Sequence, residues 1–226
     1  MNDTVVADEP LVRLEGLVHR VDGRTILKIP EWRLLPGEHA LLLGPSGSGK
    51  TSLINLVAGL MSPTSGQILV TGQDLTQLPP AGRDELRRRT VGLVFQTLRL
   101  VSALTVRQNL LLAQKIGTGT TDPKDVDRLI ARVGLLHRAE AKPRALSQGE
   151  GQRAAIARAL VTRPALVIAD EPTSALDDEN TAAMTELLFT TAAASEATLL
   201  VATHDARIRD HFRNRLLLTD GRSMVQ

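Results

Sequence analysis

Cysteine and tyrosine are absent from this chain of 226 residues, which has only one tryptophan and three phenylalanines. Without cysteine there is no disulfide framework and no thiol chemistry, which suits a reducing compartment. Only five histidines and the chain ends titrate between the carboxylates and the lysines. The isoelectric point of about 9.4 therefore follows from a net charge of only +2, and it is no evidence for nucleic-acid binding.

Long apolar runs are also missing. The longest, such as residues 53–61 and 197–202, fall well short of the roughly 18 residues that a membrane-spanning helix needs. The first ten residues, MNDTVVADEP, are acidic and do not resemble a secretory signal. A local basic cluster, RDELRRR at 83–89, is interpreted as the solvated face of a helix, and no nucleic-acid partner is expected. We expect one soluble domain over residues 1–226.

Short apolar runs separated by helical patterns predict an α/β fold. Residues 11–43 are typical of short strands and turns, ending in a strand at Leu41–Leu43 that is buried on both faces. Two more apolar runs, 165–170 and 197–203, follow much later. Because helical stretches lie between these runs, a central, mainly parallel sheet is the natural arrangement.

The chain between about residues 97 and 160 changes to helix-period patterns. Helices are predicted at 104–115 and 125–133, with a loop at 117–123 between them. We interpret this part as a helical subdomain inserted into the sheet domain.

The stretch GPSGSGKT fits the phosphate-loop pattern G-x-x-x-x-G-K-[ST] and lies between a strand and a helix. Its glycines let backbone N–H groups close around phosphate oxygens, and the helix N-terminus adds partial positive charge. Lys50 would reach the β- and γ-phosphates, and Thr51 would hold Mg²⁺. The residues expected to bind nucleotide here are Gly44, Pro45, Ser46, Gly47, Ser48, Gly49, Lys50, Thr51 and Ser52.

A second group of candidate residues follows three apolar strands. Asp170 and Glu171 end one strand, at the sheet edge where open α/β folds bind ligands. Asp170 is expected to bind Mg²⁺, and Glu171 to orient or deprotonate the attacking water. His204 and Gln96 follow two other apolar strands, and we expect both near a γ-phosphate, with Gln96 also a metal ligand.

The polar stretch LSQGEGQR, residues 146–153, precedes an alanine-rich run. Ser147 and Glu150 have the spacing of a capping box, in which each side chain accepts from the other residue's N–H. A carboxylate in the first turn of a helix is favoured by roughly 0.3–1 kcal/mol, whereas a nearby triphosphate would repel it. The sequence leaves open which effect is larger. It also leaves open the backbone angle at Gln148, where a positive φ would cost about 1–2 kcal/mol.

These motifs in series resemble an ATP-binding-cassette (ABC) ATPase. Their order is GPSGSGKT, Gln96, LSQGE, ALVIADEPT, the stretch Ser174-Ala175-Leu176-Asp177, and His204. The resemblance covers nearly the whole chain, from about Leu11 to Gly221. It implies a P-loop NTPase fold with a RecA-like core, an antiparallel N-terminal β-subdomain and an inserted helical subdomain.

The same resemblance implies a head-to-tail homodimer with two ATP molecules between the subunits. The phosphate loop of one subunit would face Ser147, Gly149 and Glu150 of the other, with Asp177 at the seam. ATP binding would close this dimer and hydrolysis would reopen it. The helical subdomain would dock an integral membrane permease near Gln96, which places the chain in the cytoplasm on the inner face of the membrane.

Within the family, VFQTLRLVSALTVRQNLLLA and ADEPTSALD look like the lipoprotein-releasing and macrolide-export group. Those ATPases pair with permeases of the FtsX/MacB type, which implies export or release of lipoprotein, lipid, peptide or drug. An ATP-switched cell-envelope complex that transmits force without moving a solute is the open alternative. A DNA-repair clamp would need a long coiled coil between Lys50 and Asp170, and a translation-type member would need two cassettes. A generic P-loop kinase or GTPase would leave LSQGE and His204 unexplained.

One position departs from the family pattern. Family members usually carry an aromatic residue upstream of the phosphate loop that stacks on adenine. Here Val21 takes that place, with His19 two residues before it. A base–aromatic stack contributes on the order of 1–3 kcal/mol, so we predict weaker or less base-selective ATP binding.

Overall fold

Strands and helices alternate along the chain. The computed structural model describes residues 9–174, 176–219 and 222–225. The strands are β1 (Val12–Val21), β2 (Arg24–Leu34), β3 (Ala40–Leu43), β4 (Ser65–Val70), β5 (Gln73–Asp74), β6 (Val91–Val94), β7 (Leu166–Asp170), β8 (Thr198–Thr203), β9 (Asn214–Thr219) and β10 (Arg222–Val225). The helices are α1 (Lys50–Val57), α2 (Pro80–Thr90), α3 (Val106–Thr118), α4 (Pro123–Arg132), α5 (Gln148–Leu160) and α6 (Asp178–Ala193).

The described strands form two sheets. The N-terminal sheet is antiparallel and has the order β2-β1-β4-β5. The central sheet has the order β10-β9-β3-β8-β7-β6 and is parallel except for the pairing of β9 with β10. The α/β class and the antiparallel N-terminal sheet are therefore as predicted.

The central strands are buried on both faces, since helices cover both. β7 and β8 are buried along their whole length, which explains their continuous apolar sequences. Ile168 and Leu200 pack into the cluster formed with α1 and the N-terminal sheet. Val167 and Val201, one position away, pack into the cluster on the other face with α5 and α6. The period-2 alternation of strands thus divides one apolar run between two cores.

Parallel pairing brings the ends of these strands to one edge of the sheet. Leu43, the last residue of β3, pairs with Thr203, the last residue of β8. Asp170, at the end of β7, pairs with Ala202. The phosphate loop, the carboxylates after β7 and the residues after β8 therefore leave the sheet side by side.

The predicted loop at 117–123 is wrong at both ends. α3 continues to Thr118, and α4 starts at Pro123, so residues 119–122 alone connect them. Gly119 adopts a left-handed conformation at the C-cap of α3, while Asp122 caps α4 by accepting from two backbone N–H groups. Proline is well suited to the first turn of a helix, where its missing N–H costs nothing. Glycine and proline are common both in loops and at helix ends, and here Gly119 and Pro123 stand at helix ends.

The basic cluster at 83–89 lies on α2, and some of its arginines form ion pairs with acidic side chains of the same helix. Arg87 pairs with Asp84, while Arg88 and Arg89 both pair with Glu85. This is the solvated helix face that the sequence predicts. No helix in the described ranges is long and apolar enough to cross a membrane.

Candidate active site

The phosphate loop lies between β3 and α1 and packs against the hairpin of β1 and β2. Gly49 is the N-cap of α1, with φ +98°. A Cβ at this position would lie 2.7 Å from Leu27 Cδ2 and 3.2 Å from the carbonyl oxygen of Ile26. Position 49 therefore requires glycine for both its backbone angle and its close contact with the hairpin.

The side chains of the phosphate loop differ widely in exposure. Lys50 is buried, and its ammonium donates to the carbonyl oxygens of Gly44 (2.6 Å) and Pro45 (3.1 Å). The remaining predicted residues fall into three classes. Pro45, Ser46, Gly47 and Thr51 are exposed, Gly44, Gly49 and Ser52 are half-buried, and Ser48 is buried. The loop thus presents an exposed outer surface above a buried cation.

The positive partial charge at the N-terminus of α1 is not neutralised by a capping or acidic side chain within the described structure. In the described structure no side chain caps it, and its first turn contains no acidic residue. The first N–H groups of a helix have no partner within the helix, and together they carry a partial positive charge. This end of α1 is therefore suited to an anion supplied from outside the chain.

Thr51 and Asp170 meet at the edge of the central sheet. The Thr51 hydroxyl donates to Asp170 Oδ2 over 3.2 Å. Burial raises the pKa of Asp170, and the Thr51 hydrogen bond opposes this rise. A hydroxyl and a carboxylate oxygen are donors that suit Mg²⁺. No group of three or more His, Cys, Asp and Glu side chains that could hold a metal occurs within the described ranges.

Both carboxylate oxygens of Glu171 are engaged. Oε2 accepts a hydrogen bond from the Thr203 hydroxyl (2.8 Å), and Oε1 lies 2.8 Å from His204 Nδ1. Lys50 Nζ lies 4.0 Å from the same Oε1. The backbone of Glu171 has φ +50°, a left-handed conformation that is uncommon outside glycine. A buried carboxylate held this firmly is suited to orient a water molecule and accept its proton.

The residues after β8 are tied to the stretch before α6 by Arg207. Its guanidinium binds Asp205, Asp178 and, over 3.3 Å, the carbonyl oxygen of Leu176. Asp205 also accepts from Thr173 (3.1 Å), and hydrogen bonding from Arg207 lowers its pKa to about 2. The loop that begins with His204 is therefore fixed to the loop that follows Glu171.

Asp177 is the N-cap of α6 and is exposed. Its Oδ1 accepts from the Asn180 N–H over 2.8 Å, and this bond lowers the pKa of the carboxyl group. The backbone of Ser174 turns back onto Glu171, to whose carbonyl its N–H donates. Ala175, which belongs to the same predicted motif, lies outside the described residues.

Gln96 lies two residues beyond the end of β6, at the same edge of the sheet, and is exposed. In the described structure it forms no hydrogen bond with Thr51, Asp170 or Glu171. The loop that carries it is bound to α5 by Arg158, which donates to the carbonyl oxygens of Leu93 (3.2 Å) and Arg99 (2.5 Å). Arg158 thus binds the chain on either side of Gln96.

The predicted capping box is present at the N-terminus of α5. Glu150 N–H donates to Ser147 Oγ (3.3 Å), and Ser147 N–H donates to Glu150 Oε2 (2.7 Å). Gln148 is the first residue of the helix and has no positive φ, so its backbone is unstrained. Ser147 is exposed and Gly149 is half-buried. No described hydrogen bond or ion pair joins residues 147–150 to the phosphate loop of the same chain.

Val21 ends β1 with 45% of its surface exposed, so it is accessible to a ligand. His19 is buried instead, and neither ring nitrogen has a hydrogen-bond partner in the described part of the chain. Of these two residues, Val21 is the one available to a base.

Four residues around the site escaped the sequence analysis: Arg138, Arg158, Thr203 and Arg207. Three of them are arginines, each with at least one partner distant in sequence, and no local pattern indicates such contacts. Thr203 had a usable signal, because it directly precedes His204 at the end of an apolar strand.

Relatives of the chain are known. The sequence profile of the ABC transporter family matches residues 27–174. The lipoprotein-releasing system ATP-binding protein LolD 1 of Rhodopirellula baltica is 40% identical over 200 residues, which cover 87% of each chain. The protein LolD of Pseudomonas fluorescens is 40% identical over 191 residues, covering 83% of this chain and 84% of that protein.

Solved structures agree with these matches. A dimeric structure of the ATP-binding cassette MJ0796, in a post-hydrolysis state with ADP and Pi, has a TM-score of 0.86 and 29% identity, covering 95% of this chain and 97% of that one. CbiO1 of Clostridium perfringens, part of the ABC transporter complex cbiONQ, has a TM-score of 0.86 and 28% identity, covering 96% and 87%. The chain therefore belongs to the ABC transporter family, as an ATP-binding and ATP-hydrolysing subunit of the LolD type.

Proposed function

We propose that two copies of the chain form a head-to-tail dimer around two ATP molecules, and that hydrolysis in this dimer drives a membrane permease. The observation that carries the proposal is that Glu171 Oε1 lies 4.0 Å from Lys50 Nζ and 2.8 Å from His204 Nδ1, at one edge of the sheet. A cation that binds phosphate and a residue that orients or deprotonates the attacking water are recurring parts of enzymes that hydrolyse nucleoside triphosphates.

In this proposal the phosphate loop, Gly44 to Ser52, binds the triphosphate through its backbone N–H groups, and Lys50 contacts the β- and γ-phosphates. Val21 lies against the adenine. Thr51 and Asp170 hold Mg²⁺, with Gln96 as a further ligand from the neighbouring loop. Mg²⁺ is commonly held by one or two protein oxygens together with phosphate oxygens and water, and it neutralises charge on the phosphates.

Glu171 acts as the general base. Thr203 and His204 fix its two carboxylate oxygens at 2.8 Å each, so the carboxylate is oriented before the water arrives. The water attacks the γ-phosphorus, its proton passes to Glu171, and the bond to the β-phosphate oxygen breaks to leave ADP and phosphate. His204, which is exposed, reaches the γ-phosphate.

The second half of each ATP site comes from the other subunit. Ser147 and Gly149 would offer a hydroxyl and a backbone N–H to the γ-phosphate, with Glu150 behind them and Asp177 at the seam. The exposure of Ser147 and Asp177 supports this arrangement, as does the solved dimer of the MJ0796 cassette.

The membrane partner is proposed to be a permease of the FtsX/MacB type, docked near Gln96 on a helical subdomain at about residues 97–160 of a single 1–226 domain. Two relatives at 40% identity are named for lipoprotein release, which favours export or release of lipoprotein, lipid, peptide or drug. The chain would then lie in the cytoplasm, on the inner face of the membrane.

The decisive test is Glu171→Gln, which removes the base but keeps the size of the side chain. We expect hydrolysis to fall about 10²-fold or more, and ATP to convert the protein into a stable dimer. Sedimentation velocity with and without ATP measures the dimerisation, and Glu186→Gln on the exposed face of α6 is the matched control. A variant that hydrolyses ATP normally, or stays monomeric with ATP, would contradict the proposal.

The permease can be tested separately by isolating the protein from its native membrane. We expect an integral membrane protein with the FtsX/MacB arrangement to come with it. Recovery with ribosomes or DNA and never with a permease would overturn this part. A permease that moves no solute in reconstituted vesicles would favour the force-transmitting alternative.

A further inference from the structure

Glu150 is more tightly held than a helix cap needs to be. It is 8% exposed, and each of its carboxylate oxygens has its own partner. Oε2 accepts the Ser147 N–H of the capping box, while Oε1 lies 2.9 Å from Arg138 Nε. His137 Nε2 is also within 3.7 Å of Oε1, although its ring is largely exposed. The capping box uses one oxygen, so the second is free to bind a cation.

A turn held by backbone hydrogen bonds positions Arg138 beside Glu150. It ends a 3₁₀ turn after α4, and its carbonyl oxygen accepts the N–H of Ala141. The carbonyl oxygens of Ala139 and Ala141 in turn accept the first N–H groups of α3, from Arg107 and Val106. The segment that carries Arg138 thus joins the N-terminus of α3 to the N-terminus of α5.

We infer that Arg138 is a positioning residue of the ATP site, whose guanidinium neutralises Glu150 so that Ser147 and Gly149 can approach the partner subunit's γ-phosphate. This inference rests on the proposed head-to-tail dimer. Without a counter-charge, the carboxylate would lie one helical turn from a triphosphate and would repel it. With Arg138 bound, the pair is neutral, and the capping box keeps its geometry.

The inference answers the question that the sequence leaves open about Glu150. A glutamine in its place would satisfy the same capping box and would need no counter-charge. Arg138 is therefore needed only as long as position 150 is charged. This conditional requirement separates a charge role from a purely structural one, because a structural role would persist with glutamine.

The experiment uses the full chain in the Glu171→Gln background and measures the ATP concentration needed for dimerisation. We expect Arg138→Met to raise it about tenfold, and the added change Glu150→Gln to bring it back to within about threefold of the background. The defect of Arg138→Met should also shrink as NaCl rises from about 0.05 M to about 0.5 M, because salt screens the repulsion. Arg132→Met, at the end of α4, is the matched control and should have no effect.

Each result is decisive. If the Glu171→Gln background itself forms no dimer with ATP, the proposed function fails. If the background dimerises and Arg138→Met does so equally well, or stays defective with Glu150→Gln, the inference about Arg138 is overturned. Should Arg138→Met fail to fold, Arg138→Lys keeps the charge and should stay within about threefold of the background. A larger defect in a folded Arg138→Lys protein would also overturn it.

Discussion

The N-termini of α1 and α5 solve the same problem in opposite ways. Both helices follow a loop, and both present N–H groups that have no partner within the helix. α1 begins at a left-handed Gly49 with no capping side chain and no acid in its first turn. α5 begins at Ser147 with a complete capping box, and Glu150 is the acid in its first turn.

The N-terminus of α1 can therefore accept an anion from a ligand, whereas the N-terminus of α5 already has an anion of the chain beside it. α1 leaves its positive end available for phosphate, at the cost of an uncapped helix. α5 has a complete N-terminal cap of its own, and the charge of Glu150 is balanced by Arg138. In the proposed dimer the first helix binds ATP within its own subunit, while the second completes the site of the partner.

Of the changes considered, replacing Gly49 by alanine should have the largest effect, because it disturbs the N-terminus of α1. A Cβ there adds contact with Leu27 and Ile26 to the strain of φ +98°, so we expect a loss of about 2–4 kcal/mol in unfolding free energy and loss of ATP binding. Gly47→Ala is the matched control, since Gly47 has φ +80° but nothing within 4 Å of its Cβ position. Urea unfolding and calorimetric ATP titration measure both. Equal losses in the two variants would show that contact with the hairpin is unimportant.

An aromatic ring added at position 21 should change nucleotide binding at α1 and leave the N-terminus of α5 unaffected. We expect Val21→Tyr to tighten ATP binding about tenfold and to raise the preference for ATP over GTP, because base stacking contributes roughly 1–3 kcal/mol. Val21→Leu, which adds apolar surface without a π face, is the control. Unchanged affinity and unchanged GTP/ATP preference in Val21→Tyr would exclude this position as the adenine contact.

The smallest expected effect is that of low pH on the stability that Glu150 of α5 contributes. Hydrogen bonds from the Ser147 N–H and then from Arg138 lower the pKa of Glu150 to about 2 from 4.5. This carboxylate therefore stabilises the fold above pH 4.5, and its contribution is lost as the pH falls towards 2. The difference in unfolding free energy between the parent and Glu150→Gln should be constant at higher pH and shrink over that range. A difference that does not vary with pH would refute the assignment, and Glu186→Gln should show no such change.

Much of the fold and part of the site can be predicted from local pattern. The phosphate loop and the apolar strands that end at Asp170 and Thr203 are signals within a few residues, and parallel pairing then fixes their common edge. The Ser147–Glu150 box is equally local and is present as predicted. Local pattern does not fix the ends of α3 and α4, because glycine and proline occur both in loops and at helix ends.

The remaining contacts depend on distant parts of the chain. Arg138 reaches Glu150 across 12 positions through a 3₁₀ turn that leaves no periodic signal. Arg207 binds Asp178 across 29 positions and Arg158 binds Leu93 across 65, and each depends on how helices pack. An arginine in sequence is compatible with many acceptors, so its partner is decided by tertiary structure alone.

Arg158 has one more consequence. Because it binds Leu93 and Arg99 on either side of Gln96, a tilt of α5 relative to this segment would break these two hydrogen bonds. Thermodynamic linkage makes such a coupling reciprocal. In the proposed dimer, a force on the segment around Gln96 would therefore change the affinity of Ser147 for ATP, and ATP bound at Ser147 would act on that segment with the same coupling free energy.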